Sequence, residues 1–216
     1  MMFLYHFAFD LRYFGAMTAD FEHALFWLAF RALILSSFLT LVGVSIVLAE
    51  RNGMSLRAFV RRVGFIAAGA LAATLASWFL FPSSFIYFGV LHCIATASLV
   101  AWPLRGRAFV ALALGLAVLA AGLMWSSPAF DRLAWSWIGF MTHKPVTEDY
   151  VPLAPWAAFV LMGIAAGHAL GRTDFRALQP LNRSPAWLQW LGRHSLMIYL
   201  VHQPIFMGVL WLVLAH

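Results

Sequence analysis

Residues 26–48 read FWLAFRALILSSFLTLVGVSIVL, with Arg31 the one charged side chain in the run. As a helix at 1.5 Å per residue this stretch reaches about 34 Å, enough to cross a hydrocarbon core of about 30 Å. Runs of the same kind recur outward from it at 61–81, 85–103, 107–126, 154–171 and 192–214, with a shorter one at 1–15, all separated by short polar or proline-containing joints. The sequence therefore predicts an all-α, polytopic transmembrane helical bundle of about seven spans, the first incomplete, forming one domain over residues 1–216. The separation of 61–81 from 85–103 rests on Pro82-Ser83-Ser84 acting as a tight turn.

Composition excludes a soluble globular domain. Hydrophobic residues make up 63% of the chain, charged residues only 10%, and the mean hydropathy is +0.86, against roughly 25% charged residues in an average soluble domain. The net charge of +6 and pI of 10.2 do not indicate nucleic acid, because the bases form no stripe across a polar surface. They sit at the ends of the apolar runs. Arg51, Arg57, Arg61, Arg62, Arg105, Arg107, Arg172, Arg176, Arg183 and Arg193 account for ten of the 14 basic residues and fall on one side if the runs alternate. By the positive-inside rule that side is the cytoplasm. Asp20, Glu22, Asp131, Glu148 and Asp149 then lie outside, with the one sizeable loop, 127–153, and the C-terminus. Trp135, Trp137, Phe140 and Tyr150 suit that loop to the headgroup level. Cys93 is the single cysteine; it reads as a small core residue and leaves no intrachain disulfide and no multi-cysteine metal site. Gly163, Gly167 and Gly171 recur every four residues, a ridge that lets a neighbouring helix approach closely.

Ionisable side chains inside the runs carry the functional signal, because each costs about 2.5–3.5 kcal/mol at mid-membrane unless it meets a partner or a wet cavity. His6 and Asp10 are four apart on one helical face, with Tyr13 continuing it. Arg31 lies near the start of the second run, His92 in the fourth, and Ser195, Tyr199 and His202 share a face of the last. Under strict alternation His6, Asp10, Arg31, His92 and His202 reach similar depth, and inward-turned faces would line one cavity open to the outside. A carboxylate one turn from an imidazole can hold one ring nitrogen's proton and leave the other free as a base; Arg31 could equally be a countercharge to Asp10. His168 and His194 read as surface residues on the basic side, and His23, His143 and His216 as solvated outside groups. Pro204 removes a backbone donor to the Leu200 carbonyl and implies a kink beside His202.

Several stretches resemble a known family: Tyr5-His6-Phe7-Ala8-Phe9-Asp10-Leu11, the run from Phe38 to Ser45, Phe88-Gly89-Val90-Leu91-His92-Cys93, Asp149-Tyr150-Val151-Pro152 with Pro155-Trp156, and Leu191-Gly192-Arg193-His194-Ser195 through His202-Gln203-Pro204. In order and over nearly the whole chain, they are similar to bacterial members of the heparan-alpha-glucosaminide N-acetyltransferase catalytic-domain family. The resemblance implies a multi-pass enzyme of the bacterial inner membrane that takes an acetyl group from cytoplasmic acetyl-CoA and transfers it to an amine or hydroxyl of a glycan on the outer side. It implies the general-base role for His6, which stands where the family has its first-helix histidine. Family members carry an Asp and an Arg-Gly pair ahead of that histidine, and this chain starts after them; a late start site would explain the short first run.

The sequence thus assigns catalytic roles to His6, Asp10, His92 and His202, with His92 or His202 steadying the thioester oxyanion or the sugar, and substrate contacts to Arg31, Asp149, Tyr150 and Tyr199. Acetyl-CoA is the implied acyl donor, and the lipid bilayer and a glycan acceptor are the implied partners. Two rival readings use the same residues: a proton-coupled transporter, disfavoured by the missing inverted repeat, and a structural membrane subunit.

Overall fold

The computed structural model describes residues 1–21 and 23–214; Glu22, His216 and the position of the C-terminus lie outside the described residues. Every regular element among the described residues is helical: α1 (Met2–Tyr13), α2 (Leu25–Arg51), α3 (Leu56–Leu80), α4 (Val90–Ala101, prolonged by a 3₁₀ turn over Trp102–Leu104), α5 (Ala108–Met124), a short α6 (Leu133–Ser136), α7 (Leu153–Gly171), α8 (Ala186–Arg193) and α9 (Ser195–Leu214). An isolated bridge pairs Phe88 with Tyr150.

Four helices, α2, α3, α7 and α9, are long and apolar enough to cross a membrane, while α4 with its 3₁₀ extension and α5 are shorter apolar helices. Length thus supports four of the seven expected spans. Large apolar side chains stand on the outside of these helices, with Leu25 81%, Phe79 82% and Phe109 82% exposed. Such a surface is stable against lipid tails and not against water. Three boundaries depart from the sequence reading, and α3 opens at Leu56, ahead of the expected 61. The fourth run begins its helix only at Val90, because Ser84, Phe85 and Phe88 give their carbonyls to the 127–153 loop instead, and Ile86 gives its own to Thr74 of α3. The last run is broken at His194, which ends α8, so the basic joint contains an extra short helix whose Trp187 and Trp190 are exposed.

The chain divides into two compact units: Met1–Ser36 together with the chain from Pro180 onward, and Ser37–Gln179. In the second unit the glycine ridge decides the packing. A Cβ on Gly163 would run into the Thr40 carbonyl and the Gly43 Cα, and one on Gly167 into Val47. The ridge lies along α2 and brings two backbones together, as the four-residue spacing predicts. Gly115 of α5 meets Ala158 and Leu161 of α7 in the same way. At the start of the α2–α3 joint, Gly53 adopts φ +71° and stops α2, a conformation that glycine adopts without a Cβ clash. Ser55 then opens α3 by accepting the Ala58 amide at 3.2 Å. Arg51 donates to the Gly171 carbonyl at 2.7 Å, satisfying a carbonyl at the end of α7 with a cation. His168 is half-buried and not a surface residue, its Nε2 lying 2.6 Å from the Arg105 carbonyl. Cys93 is fully buried, as the sequence reading has it.

The 127–153 loop is tied down at both ends. Asp131 accepts from the amide and the hydroxyl of Thr142, each at 2.7 Å, and these bonds hold its carboxyl below the ordinary carboxylate range. Beyond Thr142 the chain passes through exposed His143 and Lys144 before it zips onto residues 84–88. Glu148 N donates to Ser84 O at 2.9 Å, Thr147 Oγ1 to Phe85 O at 2.8 Å and Val151 N to Phe88 O at 3.1 Å.

Candidate active site

The first unit contains a polar seam between α1 and α9, and each helix supplies it by the same spacing. On α1, Phe3, His6, Phe7 and Asp10 recur at three and four residues; on α9, Tyr199, His202, Gln203 and Phe206 do the same. Such positions share one face of a helix. The rings interlock: His6 lies 4.9 Å from His202 between centroids, Phe3 lies 5.2 Å from His202, and Phe7 lies 5.7 Å from Phe206. Asp10 is 1% exposed and His202 7%.

Hydrogen bonds set the electrostatics of the seam. Gln203 Nε2 donates to Asp10 Oδ1 at 2.7 Å, and His202 Nδ1 faces the Tyr199 carbonyl one turn back. Among the described residues three buried side-chain atoms have no partner: Asp10 Oδ2, His202 Nε2 and Gln203 Oε1. A carboxylate oxygen and an amide oxygen only accept. The imidazole nitrogen opposite a protonated Nδ1 also only accepts. Buried polar atoms are nearly always satisfied in folded proteins, so a concentration of three acceptors without a donor marks a place for a ligand or ordered water. Arg31 is half-buried and within electrostatic range of His6, but Asp10 takes its hydrogen bond from Gln203 and not from Arg31.

The pairing of His6 with Asp10 therefore needs restating. They share a face as expected, yet no hydrogen bond joins them among the described residues; Asp10 is held from α9. Tyr13 does not continue the seam, being 60% exposed, and Ser195 is exposed as well. Gln203 stands in the stretch His202-Gln203-Pro204 that carries the resemblance but received no role from the sequence, although an amide in the middle of an apolar helix was a signal available there. Tyr199 contributes its backbone carbonyl, and its ring lies 5.6 Å from that of His202.

In the second unit His92, Asp149 and Tyr150 come together at the foot of the 127–153 loop, in a different chemical state. His92 Nδ1 accepts the Gly89 amide at 3.3 Å, and Nε2 lies 3.3 Å from Thr74 Oγ1, which donates onward to the Ile86 carbonyl at 2.8 Å. Both ring nitrogens are engaged. Asp149 Oδ2 accepts the Val90 amide at 2.8 Å, placing a carboxylate at the N-terminus of α4, where the helix dipole favours it. Tyr150 is buried and donates to the Ser136 carbonyl at 2.6 Å; burial raises its hydroxyl pKa above the ordinary phenol value. These bonds fasten α3, the start of α4 and the 127–153 loop.

No curated protein and no solved structure was found to match the chain. The model of the family described as heparan-alpha-glucosaminide N-acetyltransferase, catalytic, matches residues 1–204, which takes in the α1–α9 seam and the foot of the loop alike, and the chain belongs to that family.

Proposed function

We propose that the protein is a membrane acyltransferase that moves an acetyl group from acyl-CoA presented on the cytoplasmic side to an amine or hydroxyl of a sugar on the outer side of a bacterial inner membrane. The observation that carries this reading is the set of three buried acceptors without donors at the α1–α9 seam. An N–H or O–H of the acceptor sugar is the kind of group such a set receives, and it is also the group that must lose a proton for transfer.

The chemistry then needs little from the protein. The acceptor nitrogen or oxygen attacks the thioester carbonyl, a new C–N or C–O bond forms, and the C–S bond breaks. The acceptor's proton passes to an imidazole of the His6–His202 pair and from there to the departing thiolate, which leaves as the CoA thiol. The positive charge of Arg31 near His6 would steady negative charge developing on the carbonyl oxygen. Acyl-CoA would approach from the arginine-rich joints, where ten of the 14 basic residues gather. In this reading His92, Asp149 and Tyr150 serve as scaffold, since their polar atoms are already spent on the protein itself.

The test is thiol release by purified protein in lipid nanodiscs, with acetyl-CoA as donor and glucosamine as probe acceptor. Acceptor-dependent release is the expected result. Absence of release together with no calorimetric binding of acetyl-CoA would overturn the reading and favour transport or a structural role for the same buried groups.

A further inference from the structure

Within that transfer reading, on which this step rests, we infer that His202, through Nε2, is the group that takes the acceptor's proton, and that His6 is not. The argument is one of tautomers. A backbone carbonyl can only accept, so the nitrogen of His202 that faces Tyr199 O must carry hydrogen, and the neutral ring then keeps its lone pair on Nε2. That atom is buried and has no partner. It is a base held ready, with its orientation fixed by the bond at the other end of the ring.

The walls keep it so. Phe3 at 5.2 Å, His6 at 4.9 Å and Phe206 at 5.8 Å surround the imidazole, which leaves little freedom to turn Nδ1 away from the carbonyl. Gln203, the next residue, turns its amide nitrogen to Asp10, and among the described residues Nε2 of His202 receives no hydrogen bond that would quench the lone pair. His6 differs in the feature that matters. Its ring makes no hydrogen bond among the described residues, and nothing there fixes which nitrogen bears the proton. It packs edge-on against His202 as part of the wall.

The step balances with His202 alone. The acceptor's N–H or O–H bond breaks toward Nε2 as the bond to the acyl carbon forms. The imidazolium returns that proton to the thiolate as the C–S bond breaks. Nδ1–H stays on the Tyr199 carbonyl throughout, and the ring ends neutral.

Isosteric replacements separate the two nitrogens. His202→Asn keeps a donor near Nδ1 and deletes Nε2; His202→Gln places a non-basic amide near Nε2. With acetyl-CoA and glucosamine as probes, both should lower kcat by on the order of 10²- to 10⁴-fold while the KM for acetyl-CoA moves by less than about threefold. His6→Gln should lower kcat by less than about tenfold. Equal losses at His6 and His202, or retained turnover in His202→Gln, would overturn the assignment. A reading independent of variant folding comes from ¹⁵N-histidine NMR of the wild-type protein in nanodiscs, where His202 should appear as the Nδ1-protonated neutral ring. Thiol release by wild-type protein whose His202 is protonated at Nε2 would overturn the assignment alone; no release by wild-type protein would overturn the transfer reading, and the assignment with it.

Discussion

His92 and His202 look alike in the sequence, each a single imidazole well inside an apolar helix, and the structure treats them as opposites. His92 accepts from Gly89 and engages Thr74, so both nitrogens are consumed in fastening α3 to the start of α4. His202 spends one nitrogen on its own backbone and keeps the other idle. An imidazole with two partners has little left to offer a substrate; one with a single fixed partner is oriented and still basic. Residue type and depth do not tell the two imidazoles apart, whereas a census of partners does, and the proposed division into scaffold and base rests on that census.

The contrast is broken most directly by moving the same substitution between the two sites. His92→Gln should leave turnover per folded molecule within a few-fold, against the loss of on the order of 10² or more at His202. Its cost should appear as lost stability of about 1–3 kcal/mol, because removing the ring strands the Gly89 amide and takes one of its two partners from the Thr74 hydroxyl. Thermal unfolding in detergent alongside thiol release reads both; a large fall in turnover without loss of stability at His92 would place chemistry in the second unit and dissolve the distinction.

A smaller effect sharpens the scaffold side. Gly163→Ala puts a methyl group against the Thr40 carbonyl and Gly43, and overpacking of this kind costs about 1–3 kcal/mol. Gly64→Ala meets nothing within 4 Å and should be neutral or stabilising by up to about 1 kcal/mol from helix propensity alone. Unfolding midpoints of the two variants should therefore move apart, with turnover per folded molecule unchanged in both.

The smallest effect concerns pH at the 127–153 loop. The Asp131 carboxyl is lowered in the folded protein by its bonds from Thr142, so its contribution is present above the ordinary carboxylate range and is lost as pH falls through the lowered folded value. Hydrogen exchange at the Thr142 amide should quicken over that acidic interval. In Asp131→Asn the exchange should show no such step; a step that persists would assign the titration to another group.

Much of the fold was legible because a spanning helix has a composition of its own. The glycine spacing in α7 gave a true packing ridge because four-residue periodicity and close approach are the same geometric fact. The site was legible in part. The seam's α1 face followed from the spacing of His6 and Asp10, but the carboxylate's partner comes from a residue 193 positions away, which no local pattern reports. Gln203 received no role because a search for charge in a membrane passes over neutral amides, although in hydrocarbon an amide is also costly to leave unpaired. His92 could not be told from His202 in advance, since its quenching partner Thr74 reaches it only once α3 and α4 have packed.

The 127–153 loop has one further use. Its exposed Lys144 is the only lysine in the chain, so an amine-reactive reagent that cannot cross lipid has a single side-chain address on the whole molecule. The mass of one tryptic fragment, taken from sealed and then from opened vesicles, would report on which face of the bilayer the loop stands without altering a residue.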